Sequence, residues 1–137
     1  MKKAANKSIP MTGNKVLLDT NIVIELFKGD KKIFEFLEQQ TLYIATAVLA
    51  ELYLGAYRSA NEQRHLREIK DFLLRCNVLN ADHGTAENYA IIKTALLKKG
   101  KPIPENDIWI AATALQHQLP LYTNDKHFNE VNSLALV

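Results

Sequence analysis

The chain has 137 residues, the size of one ordinary domain, with 47% hydrophobic and 23% charged residues; this fits a folded globular unit and argues against disorder over most of its length. Its longest apolar runs fall far short of a bilayer span, and one cysteine, Cys76, leaves no internal disulfide and fits a reducing, cytoplasmic setting. The formal charge is +2, but Lys2, Lys3 and Lys7 supply three of the 17 basic residues against 15 acids, so residues 11–137 are close to neutral and no broad basic face is expected.

Residues 1–14 are polar and unpatterned and read as a flexible leader, with Met11 as an alternative start and no apolar run to make a secretory signal. Residues 15–137 form the single domain. The run VLLD at 16–19 predicts a buried strand. Thr20 or Asn21 caps a short helix from 22 to 28 that Gly29 stops, and Asp30 caps a second helix to about 38 with Ile33, Phe34 and Leu37 on one stripe. A strand at 42–45 follows, then a helix capped by Thr46 that runs from about 47 to 57. Leu66, Ile69, Phe72 and Leu73 predict a helix within 61–75. A short strand is expected at 77–80. Tyr89, Ile92, Leu96 and Leu97 mark a long helix over 82–99, ended by Gly100. Pro104 lies just before or within the first turn of a helix to about 118. Residues 121–123 form another strand, 128 begins a turn, and 134–137 close the chain as a strand or an apolar tail. Alternating apolar strands and helices predict an α/β domain with a mostly parallel sheet, whose ligands sit beyond the carboxyl ends of the strands.

Four acids stand out against this background. Asp19 and Asp125 follow predicted strands, which is where such sheets build sites, although each also suits a plain cap or turn. Glu51 is the only charge in IATAVLAELYLGAY, a helix apolar on nearly all sides. It must reach a solvated crevice, meet a cation or occupy the one wet stripe. Asp107 opens the apolar stretch IWIAATAL in a first helical turn, where the dipole favours an acid; Glu105 competes there but lies farther from the apolar side. Carboxylates that converge raise one another's pKa and need a cation, and all-oxygen ligands favour a hard ion, Mg²⁺ or Mn²⁺. Such an ion activates water and neutralises phosphate, so a nearly neutral domain can engage a phosphodiester.

Asp19-Thr20-Asn21 after a strand, Thr46-x-x-x-x-Glu51, Asn106-Asp107 before Ile-x-Ile-Ala-Ala, and Thr123-Asn124-Asp125-x-x-Phe128 occur in order, the acids following one another at spacings of 32, 56 and 18 residues. Over about residues 16–132 this pattern resembles the PIN-domain family, and within it the VapC-type toxins of bacterial and archaeal toxin–antitoxin pairs. The resemblance implies an α/β/α sandwich and a metal-dependent endoribonuclease that uses Mg²⁺, with Mn²⁺ as a substitute. It implies Asp19 and Asp107 as direct ligands. Glu51 holds a water of the ion or takes its proton, and Asp125 holds a ligand or a second ion. Thr20, Asn21 and Thr123 orient these carboxylates. It also implies RNA as substrate, a VapB-type antitoxin seated on the apolar surfaces of 22–37 and 47–57, and a homodimer.

Other residues read less sharply. The histidines make no zinc pattern with Cys76. His65, Arg64, Arg67 and Lys70 share a charged helix with Glu62, Glu68 and Asp71, which reads as solvated, salt-bridged surface. Lys101 and Lys126 flank the acids and are candidate RNA contacts; Trp109 reads as core. A haloacid-dehalogenase-like phosphatase would need a second Asp at position 21, which is Asn. A silent PIN-like scaffold that binds RNA or protein, and a structure-specific DNA nuclease, remain the competing readings.

Overall fold

The computed structural model describes residues 14–137. Residues 1–13 of the expected leader lie outside the described residues; Asn14 already accepts a backbone hydrogen bond from Thr41 at 2.7 Å. Four short strands, β1 (Lys15–Leu18), β2 (Thr41–Ala45), β3 (Cys76–Leu79) and β4 (Leu121–Tyr122), make one sheet in the order β3-β2-β1-β4. Every pairing is parallel. Leu17, Leu18, Ile44 and Leu121 are fully buried, as strands covered on both faces require, and this is why they read as unbroken apolar runs rather than alternating ones.

The helices are α1 (Thr20–Phe27), α2 (Lys31–Glu38), α3 (Thr46–Tyr57), α4 (Glu62–Leu73), α5 (His83–Lys98) and α6 (Glu105–His117), with a 3₁₀ turn at Lys126–Glu130. They complete an α/β/α sandwich. The chain leaves β1 toward β2 on one side and returns to β4 on the other, so the carboxyl ends of β1 and β4 flank the point where strand order reverses. Crevices open at such points. The last paired residues there are Leu18 and Tyr122, and Asp19 N donates to Tyr122 O at 3.0 Å. Beyond β4, Leu136 bridges Leu121 in parallel, so the apolar tail extends the sheet by a single bridge rather than a strand.

Several local expectations change. Helix α1 is capped by Asp19 rather than by Thr20 or Asn21: Asp19 is still extended, and its Oδ1 accepts from Thr20 N at 2.8 Å. Thr46 does not cap α3, because it is already helical and Ala45 holds the cap position; the Thr46 hydroxyl donates instead to Asn80 Oδ1 at 3.1 Å. Asp30 caps α2 through Ile33 N, and Gly29 and Gly100, at φ +91° and +65°, end α1 and α5 in the left-handed conformation that glycine accepts without strain. Pro104 sits just before α6, in its cap position. Phe34 and Leu97, placed on buried stripes by their spacing, are 47% and 66% exposed, because short helices on a four-stranded sheet bury only a narrow arc. Helix α3 departs most from expectation. It buries Val48, Leu52 and Ala56 but leaves Leu54 57% exposed along with Tyr57.

Candidate active site

At the carboxyl ends of β1 and β4 lies a cleft of about 790 Å³ whose lining includes Asp19, Glu51, Asp107 and Asp125, together with Thr20 and Asn21. All four acids singled out in the sequence therefore share one space. β1 delivers Asp19, α3 delivers Glu51, the first turn of α6 delivers Asp107, and the turn after β4 delivers Asp125.

Asp19 is only 5% exposed. Its Oδ1 is held by the α1 cap and its Oδ2 accepts from the Thr123 hydroxyl at 2.7 Å. Burial pushes its carboxyl above the ordinary range; the bonds from Thr123 and Thr20 pull the other way, and the negative Glu51 and Asp125 add to the rise. The same Thr123 oxygen accepts from Asp125 N at 2.9 Å, so one hydroxyl fixes two acids. Glu51 accepts from the Thr20 hydroxyl through one oxygen and from Asn106 Nδ2, at 3.4 Å, through the other. Asp107 is largely buried, and burial raises its carboxyl too. The contact with His127 opposes this, and the charges of Asp19 and Asp125 reinforce it. His127 Nδ1 stands 3.2 Å from Asp107 Oδ2 and 3.0 Å from Asp125 Oδ1.

The competitor Glu105 also reaches the cleft wall but is engaged elsewhere. Lys93 and the Tyr89 hydroxyl both bond it, and the Lys93 bond holds its carboxyl below the usual range. Trp109 stacks on Tyr89 at 4.3 Å and so ties α6 to α5. Lys101 and Lys126, the expected RNA contacts, are absent from the cleft lining; its basic residue is Arg58. Among the described residues no lysine or arginine forms an ion pair with Asp19, Glu51, Asp107 or Asp125. Four acids facing one another with no lysine or arginine paired to them, and a single histidine between two of them, are suited to a divalent cation. One ligand atom each from Asp107, Asp125 and His127 lies within 4.8 Å of the others, close enough to share an ion. Asp19 is not among that trio; each of its oxygens accepts one protein donor and keeps a second lone pair for an ion.

The sequence matches the PIN domain family over residues 16–134. It is 37% identical over 126 residues to "Ribonuclease VapC2" of Haemophilus influenzae, covering 88% of this chain and 94% of that protein. The chain belongs to the PIN-domain family, in its VapC branch. It is also 33% identical over 125 residues to the "tRNA(fMet)-specific endonuclease VapC" of Shigella flexneri, with 88% and 94% covered. Among solved structures, VapBC2 from Rickettsia felis bound to a DNA fragment from its promoter superposes with a TM-score of 0.86 at 28% identity, covering 90% of this chain and 97% of the other.

Three participants carry signals outside the four acidic motifs. His127 has no zinc-type spacing with Cys76, yet it lies two residues after Asp125, where a turn folds it back. Arg58 lies seven residues after Glu51, two helical turns along the same face. Asn106, the neighbour of Asp107 in its motif, donates to Glu51. Two smaller readings also change. His65 is half-buried and bonds Glu68 at 2.9 Å rather than being solvated. Cys76 lies in β3 rather than before it, and burial pushes its thiol up to about 12.

Proposed function

We propose that this chain is a divalent-metal-dependent endoribonuclease, the toxin of a VapBC-type pair, that cuts RNA phosphodiesters with water and thereby stops translation and growth. The observation that carries this reading is the cleft itself, in which four carboxylates from four separate elements converge with no lysine or arginine to neutralise them. The names of the Haemophilus and Shigella relatives supply the nuclease class.

Asp19 and Asp107 hold the cation, with Asp125 and His127 beside them; the oxygen-rich set favours Mg²⁺ and also accepts Mn²⁺. When bound, such an ion supplies acidity to a water and positive charge to a phosphodiester. Thr123 and the α1 amide keep Asp19 from rotating, and Asn21 sits on the rim. Glu51, fixed by Thr20 and Asn106, takes the proton of the attacking water. The 3′-oxygen leaves with a proton from solvent, which gives a 5′-phosphate and a 3′-hydroxyl.

The antitoxin is read as docking in a second groove of about 240 Å³ between α1, α3 and α4, where Ile24, Phe27, Leu52, Ala56 and Ile69 are ringed by Lys28, Arg64 and Glu68. That the Rickettsia structure is a VapBC assembly supports such a partner. A homodimer belongs to the same reading.

The test is to incubate antitoxin-free protein with total cellular RNA in Mg²⁺, Mn²⁺ or EDTA, beside Asp19→Asn. Discrete fragments with 5′-phosphate ends that require both metal and Asp19 are expected. Cleavage that survives EDTA and Asp19→Asn would sink the assignment. Metal-independent RNA retention with no cleavage in either metal would replace it with a binding scaffold.

A further inference from the structure

Helix α3 does more than deliver Glu51. Its residues Glu51, Leu54, Gly55 and Arg58 recur at helical spacing and all line the cleft, so one continuous face of α3 forms a wall that runs away from the carboxylates. Arg58 ends that wall. Its side chain is exposed and forms no ion pair among the described residues, although acids lie two turns away. A cation at the end of α3 also complements the helix dipole, but that explains a charge and not the residue before it on the same face. Gly55 lies inside the helix, where glycine is less stable than alanine, and a Cβ there would meet nothing within 4 Å. No described neighbour requires the missing side chain. The bare backbone leaves a shallow floor between the carboxylates and the guanidinium, about 10 Å along the axis from Glu51 to Arg58.

We propose that Arg58 binds a phosphate of the RNA strand neighbouring the one that is cut, with the strand crossing α3 over Gly55. The proposal rests on the nuclease reading above and adds to it the direction in which substrate leaves the site. A guanidinium suits this task because its planar donors pair with two phosphate oxygens at once. It also gives a nearly neutral domain a local hold on a polyanion, without a basic face.

Two measurements separate this proposal from the nuclease reading. In the first, the initial rate of total-RNA cleavage in Mg²⁺ is followed against RNA concentration. Arg58→Ala is expected to raise the apparent KM about tenfold and leave kcat within about twofold, since a phosphate contact made equally in ground and transition states changes binding alone. Arg58→Lys keeps the charge but not the two-pronged pairing and recovers only part of the loss, and Arg67→Ala, which removes an exposed charge from α4, changes nothing. In the second, filter retention of total RNA by the Asp107→Asn protein is measured against salt; adding Arg58→Ala lowers the slope of log affinity on log salt by about 0.7. An unchanged KM and salt slope overturn the proposal, as does a loss confined to kcat. A variant that binds RNA normally but loses the antitoxin reassigns Arg58 to the protein partner. Failure of the wild type to cleave any RNA strikes the nuclease reading instead, and the retention assay still decides Arg58.

Discussion

Asp19 and Asp82 do the same local work in very different surroundings. Each caps a helix by accepting a backbone amide, Asp19 at α1 and Asp82 at α5. Asp82 stands in water, and its Oδ1 also accepts from Gln116 Nε2 at 2.6 Å and from Thr85. The Gln116 bond, followed by those from the backbone, holds its carboxyl below the usual range. Asp19 is buried beside two other acids, and its carboxyl is raised despite two good hydrogen bonds. An acid whose neighbours satisfy it is a structural part; one that its neighbours penalise is waiting for something they do not supply.

The sharpest way to break this contrast is to neutralise each acid in turn. Asp19→Asn should lower metal-dependent RNA cleavage by more than about a hundredfold, because losing even a group that only orients a ligand typically costs 10–100-fold. Asp82→Asn should leave the rate where it was. Equal rates for the two variants would erase the distinction.

The supporting threonines sharpen it next. Thr123→Val removes the donor to Asp19 and the acceptor for Asp125 N, and should weaken Mn²⁺ binding about 10- to 100-fold by calorimetry in a protein that still folds. Thr85, buried more deeply than Thr123, bonds Asp82 and Gln116. Thr85→Val should cost about 1–3 kcal/mol in urea unfolding with metal affinity intact.

A smaller effect lies in the pH dependence of stability. Burial lifts the Asp19 carboxyl above its unfolded value of 3.8, so its ionisation opposes folding. That cost is complete above the folded pKa and is relieved as pH falls through it. In EDTA at neutral pH, Asp19→Asn should therefore melt at or above the wild type, with the gap closing on acidification. Saturating Mn²⁺ should raise the Tm of the wild type and not that of the variant. A variant that melts lower in EDTA would contradict this. The smallest change is expected at Asp82, whose depressed carboxyl stabilises the fold above its unfolded value and loses that effect as pH falls through the folded one. Asp82→Ala should melt a few degrees lower at neutral pH and converge with the wild type in acid.

The sheet was legible because fully covered parallel strands show as unbroken apolar runs, and Gly29 and Gly100 mark helix ends because a residue without a Cβ accepts the left-handed backbone there. The four acids were legible as a group because Asp19 and Asp125 follow apolar strands, Glu51 is the one charge in an apolar helix and Asp107 opens another. What stayed hidden depended on partners distant in the chain. Thr46 looks like a cap until Asn80 claims its hydroxyl. Phe34, Leu54 and Leu97 look buried until the narrow sheet limits what can be covered. His127 gains meaning only when the turn after β4 brings Asp107 within reach. Arg58 was different: its seven-residue offset from Glu51 was visible, but an arginine past a helix end reads as solvated until the cleft beside it is seen.

The position of β4 has a consequence for how the protein is made. The hydroxyl of Thr123 reaches Asp19 across 104 residues, and β4 pairs with β1 only after the intervening strands and helices have been synthesised. A growing chain emerges from its amino end and gains such distant pairings last. Until residues 121–125 are released, Asp19 lacks Thr123 and the pocket lacks Asp125. On the proposed activity, an unfinished copy is inert toward the very ribosome and message that are producing it.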